Sequence, residues 1–441
     1  MDRHIPFDAL HNVRDLGGYR TADGRHRVRP GLLYRADSLG KLRPGTADWD
    51  RFLALGVGTV IDLRHGWEIE ARGRVPEDAS FTYRHLSIEH RPYDQAALTA
   101  DVDPGPYLAE RFLEVAHDGH AEIRTALELI ADAREPVVFH CASGKDRTGE
   151  LAALVLTLLD VPETTVVEDF TLTALATGAL LAEWSARNGG RTPTWPAFGT
   201  TPASVMRLFL AALRERHGSV DAYVATVLGM DVDALKAGLR ARYLEEPPAG
   251  GPEPVYRRAT PADAPALVRL YSTAALWQQA RGIDQWQPGA KDEEHFLHRM
   301  REGEVWLAHT GPHLTGAYEL WWTDLAAWGP RPADAGYIHR LMVTPHTAPP
   351  GTGRHLLAHA ESRITATGRT HARLDCLATN PRLRAYYEKA GYTVVGEQRA
   401  KTDGTGSPYT VTLLEKRLGD RPGPDRSLRT VGVSPSRRRP A

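Results

Sequence analysis

Cys141 and Arg147 stand six positions apart, with Ala142-Ser143-Gly144-Lys145-Asp146 between them. That pair at that spacing points to attack on a phosphate. The thiolate is the reactive form of a cysteine, and a positive field favours it. A guanidinium offers a planar fork of donors that matches a phosphate. A thiolate held beside a bound phosphate is a nucleophile beside its electrophile. Lys145 adds a further cation to the loop and Asp146 adds a carboxyl.

The flanking residues say how such a loop would be held. Val137-Val138-Phe139, after Pro136, read as a strand. Leu151, Leu154, Val155, Leu158 and Leu159 recur at helical spacing. Strand, tight loop and helix follow one another, so several backbone N–H groups point inward at a helix N-terminus and form an anion site. Ala142, Ser143, Gly144 and Lys145 are then the residues expected to hold substrate. Residues 57–64 read as a second buried strand. Ligands bind beyond the carboxyl ends of strands in a parallel sheet, so Asp62 and Arg64 at its end are candidate site residues if the two strands are neighbours. Residues 47–55 and 121–133 read as helices. Residues 77–111 are polar, carry several prolines and show no period, and a long irregular stretch of this kind is often functional. Residues 171–187, 202–216, 220–228 and 232–244 have helical patterning. The expected architecture is α/β with a parallel sheet.

The run His140-Cys141-x5-Arg147-Thr148 resembles the signature of the Cys-dependent protein tyrosine phosphatase superfamily. Asn12-x-Arg14-Asp15-x-Gly17-Gly18, followed by Gly31-x-Leu33-Tyr34-Arg35, resembles the PtpB-like branch of bacterial tyrosine and lipid phosphatases. The resemblance implies a phosphocysteine intermediate, with Cys141 as nucleophile and Arg147 and the loop amides on the transferring phosphoryl group. Thr148 would hydrogen-bond the departing thiolate. A carboxylic acid must protonate the leaving oxygen. Asp101 and Asp103 lie where the superfamily keeps its acid loop, but neither sits in a W-P-D motif. Cys141-x-x-Gly144-x-Asp146-Arg147-Thr148 resembles inositide phosphatases of the myotubularin and Sac type, whose acid is an aspartate inside the loop. Asp146 is therefore the first choice and Asp62 the second. Arg14 and Asp15 read as a structural ion pair or as ligand contacts, the former favoured. The expected substrates are phosphorylated proteins or lipids, phosphotyrosine first, with phosphoserine, phosphothreonine and phosphoinositide left open. No cofactor or metal is expected for this half.

Residues 247–254, rich in Pro and Gly, read as a linker. It separates an expected phosphatase-like domain, 1–246, from a second domain, 255–418. There, residues 255–260, 305–309, 313–321, 336–343 and 372–377 read as strands. Pro349-Pro350-Gly351-Thr352-Gly353-Arg354 precedes a helix over 355–366, again an anion site at a helix N-terminus. The order, with Asn380-x-x-Leu383-x-x-Tyr386-Tyr387-Glu388-Lys389-x-Gly391-Tyr392, resembles the GNAT family of acetyl-CoA-dependent N-acetyltransferases. The resemblance implies a mixed sheet and acetyl-CoA as cofactor. Gly351, Thr352, Gly353 and Arg354 would hold its pyrophosphate, main chain at Leu341 and Val343 would run beside pantetheine, and Asn380 would touch the cofactor. Tyr387 would protonate the departing thiolate, and Glu319 or His339 would deprotonate a small-molecule or peptide amine. Where the family usually has Arg or Gln before the loop this chain has Ala348, and Pro349 and Pro350 supply no N–H. Two readings stay open: an active acetyltransferase, or a non-catalytic acyl-CoA-binding regulatory module.

Among the remaining residues, His355 and His359 lie four apart on a helix but lack H-E-x-x-H and a third ligand, so they read as a solvated face and no metal site is expected. Cys376 reads as a core residue and Trp321, Trp322 and Trp328 as packing. Residues 419–441 read as a disordered tail. The chain has 441 residues, enough for roughly two or three domains. Its formal net charge is −1, which gives no reason to expect nucleic acid as a partner. Two cysteines exclude a disulfide framework and suit a reducing cytoplasm. No apolar run reaches the length of a membrane span, so no stable membrane insertion is expected, and the N-terminal residues show no secretory h-region.

Overall fold

The computed structural model of the protein describes residues 3–247, 253–401 and 409–419. Most of the expected linker, and the expected tail from residue 420 onward, lie outside the described residues. The chain forms two compact units, Met1–Ala317 with Met342–Gly353, and Tyr318–Leu341 with Arg354–Ala441.

The first unit opens with strands β1 (Arg14–Asp15), β2 (Arg27–Val28), β3 (Leu33–Ala36), β4 (Thr59–Asp62), β5 (Thr82–His85), β6 (Val137–His140) and β7 (Leu244–Glu245). Five of them form a sheet in the order β1-β3-β6-β4-β5, and β2 pairs with β7. β3, β6, β4 and β5 run parallel, and β1 is an antiparallel edge. β6 is buried along its whole length, as a central parallel strand must be. Register places Ala36, Asp62 and His140 level with one another at the carboxyl ends of their strands. The helix Asp146–Leu158 leaves that same end, and Leu151, Leu154, Val155 and Leu158 are fully buried along it. Each such side chain contributes about 1.5–3 kcal/mol by leaving water.

Two sequence expectations fail here. The polar stretch 77–111 is not irregular to its end, because the helix Pro104–Asp118 begins inside it. Asp103 caps that helix by accepting from Gly105 N, and Pro104 suits the first helical position. Its apolar stripe of Leu108, Phe112 and Val115 straddles residue 111, so a window ending there hides the period. Residues 171–187 are not one helix: Glu163–Thr171 and Thr177–Arg187 are separated by a 3-10 turn, Leu172–Leu175.

Strands β8 (Val255–Arg258), β9 (Glu304–Thr310), β10 (His313–Trp321), β11 (Ala335–Val343), β12 (His371–Leu377), β13 (Thr393–Lys401) and β14 (Tyr409–Arg417) form a sheet in the order β13-β14-β12-β11-β10-β9-β8. β11 and β12 are parallel, while β12 with β14 and β13 with β14 are antiparallel, so the sheet is mixed. β13 and β14 were not expected from the sequence. The helix after the glycine loop starts at Thr352 rather than at 355, and runs to Ala366. Among the described residues no single helix is long and apolar enough to cross a membrane.

Candidate active site

The loop after β6 is held from outside by its carbonyl oxygens. Ser38 N donates to Ala142 O at 3.2 Å. Asn12 Nδ2 donates to Ser143 O at 2.9 Å, and Arg35 Nη2 to Gly144 O at 2.7 Å. In a trans peptide the next N–H points the opposite way. The amides of Ser143, Gly144 and Lys145 are therefore turned inward together, which makes an anion-binding concavity. Gly144 has φ of 67° and lies so close to β3 that a Cβ would stand 2.6 Å from Ala36 O, so only glycine fits. Arg35 is itself fixed by Asp169, 2.5 Å from Nη1, and Asp169 also takes Arg14 at 3.1 Å. Burial alone would push Asp169 up, but Arg14 and Arg35 outweigh it and hold the carboxyl well below its usual range. Burial and the like charge of Arg14 bring Arg35 down to about 10.

Arg147 closes the loop between two carboxylates. Its Nη1 and Nη2 fork onto Glu68 at 2.5 and 3.1 Å, and Nε lies 3.2 Å from Glu89. Burial would lower Arg147, but the Cys141 thiolate, Glu68 and Glu89 outweigh it and push the guanidinium up. One guanidinium cannot neutralise two carboxylates. Burial would raise Glu68, yet its fork with Arg147 brings it down, whereas burial wins at Glu89 and moves it up. Cys141 is almost fully buried, and Thr148 Oγ1 is buried with no hydrogen-bond partner among the described residues. Asp146 accepts from Gln95 Nε2 at 3.1 Å, and Lys145 Nζ donates to the other end of Gln95 at 3.1 Å. Burial, then Asp146 and Glu89, push the Tyr93 hydroxyl well up.

A second constellation lies in the other unit. β11 and β12 are paired up to Ile338 and Leu374, and both strands continue beyond that point without partnering each other. The next residues are His339 and Asp375. His339 Nδ1 is 3.8 Å from Asp375, and Nε2 is 3.2 Å from Asp324 on the other side of the ring. These three are the one group of metal-ligating side chains clustered among the described residues. The two carboxylates approach opposite ring nitrogens. Trp321 lies over the ring at 4.0 Å between centroids. Glu319 is fully buried and takes Arg340 Nη1 at 2.6 Å, and Arg340 has φ of 43°, a left-handed bend within the strand. Tyr387 is buried, which pushes its hydroxyl well up. Asn380 Oδ1 caps the helix Pro381–Lys389 by accepting from Leu383 N.

The tyrosine phosphatase family matches residues 5–245, more than half of the chain. The chain belongs to the tyrosine phosphatase family. The acetyltransferase (GNAT) family matches residues 268–392, so a GNAT domain follows the phosphatase domain. A Cupriavidus necator protein provisionally named a tyrosine-protein phosphatase is 32% identical over 257 residues, covering 55% of this chain and 89% of that protein. The triple specificity protein phosphatase PtpB of Mycobacterium tuberculosis is 29% identical over 188 residues, 36% of this chain and 65% of that one. YesJ, an uncharacterized N-acetyltransferase of Bacillus subtilis, is 29% identical over 143 residues, 30% of this chain and 78% of that one.

Several candidates of the phosphatase domain take other parts. Arg64 is turned onto protein groups. It is fully buried, with Nε and Nη2 on Asp62 at 2.9 and 2.6 Å, Nη1 on Ser38 and Nη2 also on Gly73 O. Asp62, fully buried, also accepts from Tyr83 Oη at 3.0 Å. Burial would raise it, but His140 and Arg64 hold it well below the usual carboxylate range. Asp103 is spent on its helix cap and Asp101 is exposed. Arg14 pairs with Asp169 rather than Asp15, and Asp15 instead accepts from Gly17 N and Gly31 N. In the GNAT domain, Thr352 turns both its N–H and its hydroxyl to Pro349 O, which leaves the amides of Gly353 and Arg354 among the free donors of the helix's first turn. His355 is exposed as expected, but His359 bonds Tyr318 Oη at 2.7 Å. Sequence reasoning missed Asn12, Arg35, Glu68, Glu89, Gln95 and Asp169. Asn12 and Arg35 were within quoted motifs, and Glu89 and Gln95 lie in the stretch flagged for its irregularity.

Proposed function

We propose that the phosphatase domain hydrolyses phosphate monoesters through a phosphocysteine, and that the GNAT domain transfers acetyl groups to an amine. The observation that carries the first reading is the loop whose carbonyls are tied back between Cys141 and Arg147, with its amides turned inward. Cys141 Sγ attacks phosphorus as the P–O bond to the leaving group breaks. The amides and Arg147 stabilise charge on the equatorial oxygens. Asp146 protonates the leaving oxygen. It then takes a proton from the water that displaces Cys141, and Thr148 Oγ1 is free to donate to the released sulfur. Phosphotyrosine is the first expected substrate, with phosphoserine, phosphothreonine and phosphoinositide also to be tried; the name of the Mycobacterium relative, triple specificity, supports a broad panel. Cys141→Ser should reduce turnover of an aryl phosphate to background. Persistent turnover would rule the phosphocysteine out.

Acetyl-CoA is the cofactor that this reading implies for the second site. Main chain at Leu341 and Val343, the amides of Gly353 and Arg354 after the bend at Gly351, and the Asn380 amide nitrogen would hold it, and it would supply the acetyl group as a thioester. His339 takes the amine proton, with Asp324 and Asp375 on either side of its ring. Tyr387 keeps a proton on its hydroxyl for donation. The domain limits supported by this reading are 1–246 and 255–418. Calorimetric titration of the whole chain with acetyl-CoA tests it; no heat at millimolar cofactor would remove the cofactor assignment, and binding without transfer to any amine would leave a regulatory module.

A further inference from the structure

Asp146 has a difficulty as an acid. It must hold a proton until the leaving oxygen needs one. Yet it is the first residue of the helix Asp146–Leu158, and Lys145 Nζ lies 3.5 Å from its Oδ1. A helix N-terminus and a neighbouring ammonium both favour negative charge. Four residues on, Glu150 is fully buried, and neither of its carboxyl oxygens has a hydrogen-bond partner among the described residues. Asp146 Oδ1 is also buried and without a hydrogen-bond partner among them. Residues four apart on a helix have Cβ atoms about 5–6 Å apart and lean toward the N-terminus, so Glu150 reaches back toward Asp146.

We propose that Glu150 is the proton store for Asp146, the two carboxyls sharing one proton. This rests on the reading of Asp146 as the acid. The charged and titratable groups around Glu150 agree. Asp146 on its own helix and Glu89 from the stretch after β5 face it as like charges, and Tyr223 of the helix Val220–Thr226 stands nearby with its hydroxyl donated to Ala116 O. Arg35 of β3 and Asp169 of the helix Glu163–Thr171 are spent on each other. The helix Pro104–Asp118 buries Leu108, Phe112 and Val115. Among the described residues no cation forms an ion pair with Glu150, and burial, then Glu89 and Asp146, push its carboxyl up. When the P–O bond breaks, its electron pair goes to the leaving oxygen, and the single shared proton passes from Glu150 to Asp146 and from Asp146 to that oxygen, leaving both carboxyls ionised. Attack of water on the phosphocysteine returns one proton to the pair.

The test compares wild type, Glu150→Gln, Glu150→Leu and Asp146→Asn on phenyl phosphate and 4-nitrophenyl phosphate across pH. Nitrophenolate leaves with little help from an acid, and phenolate needs it. Glu150→Gln should lower kcat/KM for phenyl phosphate about tenfold more than for 4-nitrophenyl phosphate, a part of the 10²–10⁴ that a positioned acid supplies. The alkaline limb of kcat/KM, which reports the acid of the free enzyme, should move to lower pH. Glu150→Leu, which cannot hydrogen-bond, should show the same substrate ratio. A merely structural role would depress both substrates equally and leave the limb in place, which would overturn the proposal. If Asp146→Asn itself leaves the ratio at the wild-type value, the acid assignment has failed. If Asp146→Asn changes the ratio and Glu150→Gln does not, only the proton store has failed.

Discussion

Two buried carboxyls of the phosphatase domain, Asp169 and Glu150, should give opposite signatures in the dependence of stability on pH. Asp169 joins Arg14 and Arg35 behind the loop and is held below its unfolded value. A depressed carboxyl contributes stability that is present above the unfolded pKa of about 3.9 and lost as pH falls below it. Glu150 is raised, so its contribution is present below the unfolded value of about 4.3 and lost as pH rises above it. Asp169→Asn removes the anion between two buried guanidinium groups and should cost about 3–5 kcal/mol at neutral pH. The cost should shrink toward pH 3. Glu150→Gln should instead gain on wild type as pH rises from 4 to 8. Thermal unfolding from about pH 2 to about pH 8 checks both, the acid part of the range for Asp169 and the part above about pH 4 for Glu150. Parallel curves for wild type and Asp169→Asn would mean that the Arg14–Asp169–Arg35 cluster does not hold the loop.

At the scale of elements, each site sits where a sheet stops and a helix begins. In the GNAT domain the helix Thr352–Ala366 rests on β11 at Gly336, where a Cβ would come within 2.4 Å of Ile364 Cγ1. Ile364 is fully buried and branched, so it has no room to turn aside. Gly336→Ala should cost about 1–3 kcal/mol as overpacking. It should also weaken acetyl-CoA, because the same helix carries the glycine loop in its first turn. A thermal scan and a titration of the variant measure the two effects, and a wild-type midpoint would show that the helix can shift freely. The elements that the sequence discloses are those with local signals. Val137-Val138-Phe139 and the apolar repeat from Leu151 announce β6 and its helix without reference to anything distant. The residues missed depend on distant partners: Glu68 has meaning only with Arg147, 79 positions away, and Asp169 only with Arg14, 155 positions away. Neither polar residue carries a periodic signal that marks its partner. Asp62 and Arg64 were placed at the correct strand end, but their adjacency allowed them to satisfy each other, which spacing alone did not reveal.

At the scale of the whole chain, the residues of the two chemistries lie in different stretches, 141–150 with its partners and 339–387. Two separate activities must each survive loss of the other's chemistry. A ligand that binds only the native state stabilises it by about 2.7 kcal/mol at a hundred times its dissociation constant. Acetyl-CoA should therefore raise the unfolding temperature of Cys141→Ser by as much as it raises that of wild type, although the variant no longer turns over aryl phosphate. Tyr387→Phe keeps the ring in its buried place and removes only the hydroxyl, so it should lose acetyl transfer while keeping phosphate ester hydrolysis. Both comparisons use the intact chain. If Cys141→Ser loses the acetyl-CoA shift, or Tyr387→Phe loses phosphatase turnover with its folding intact, the two sites are not energetically separate.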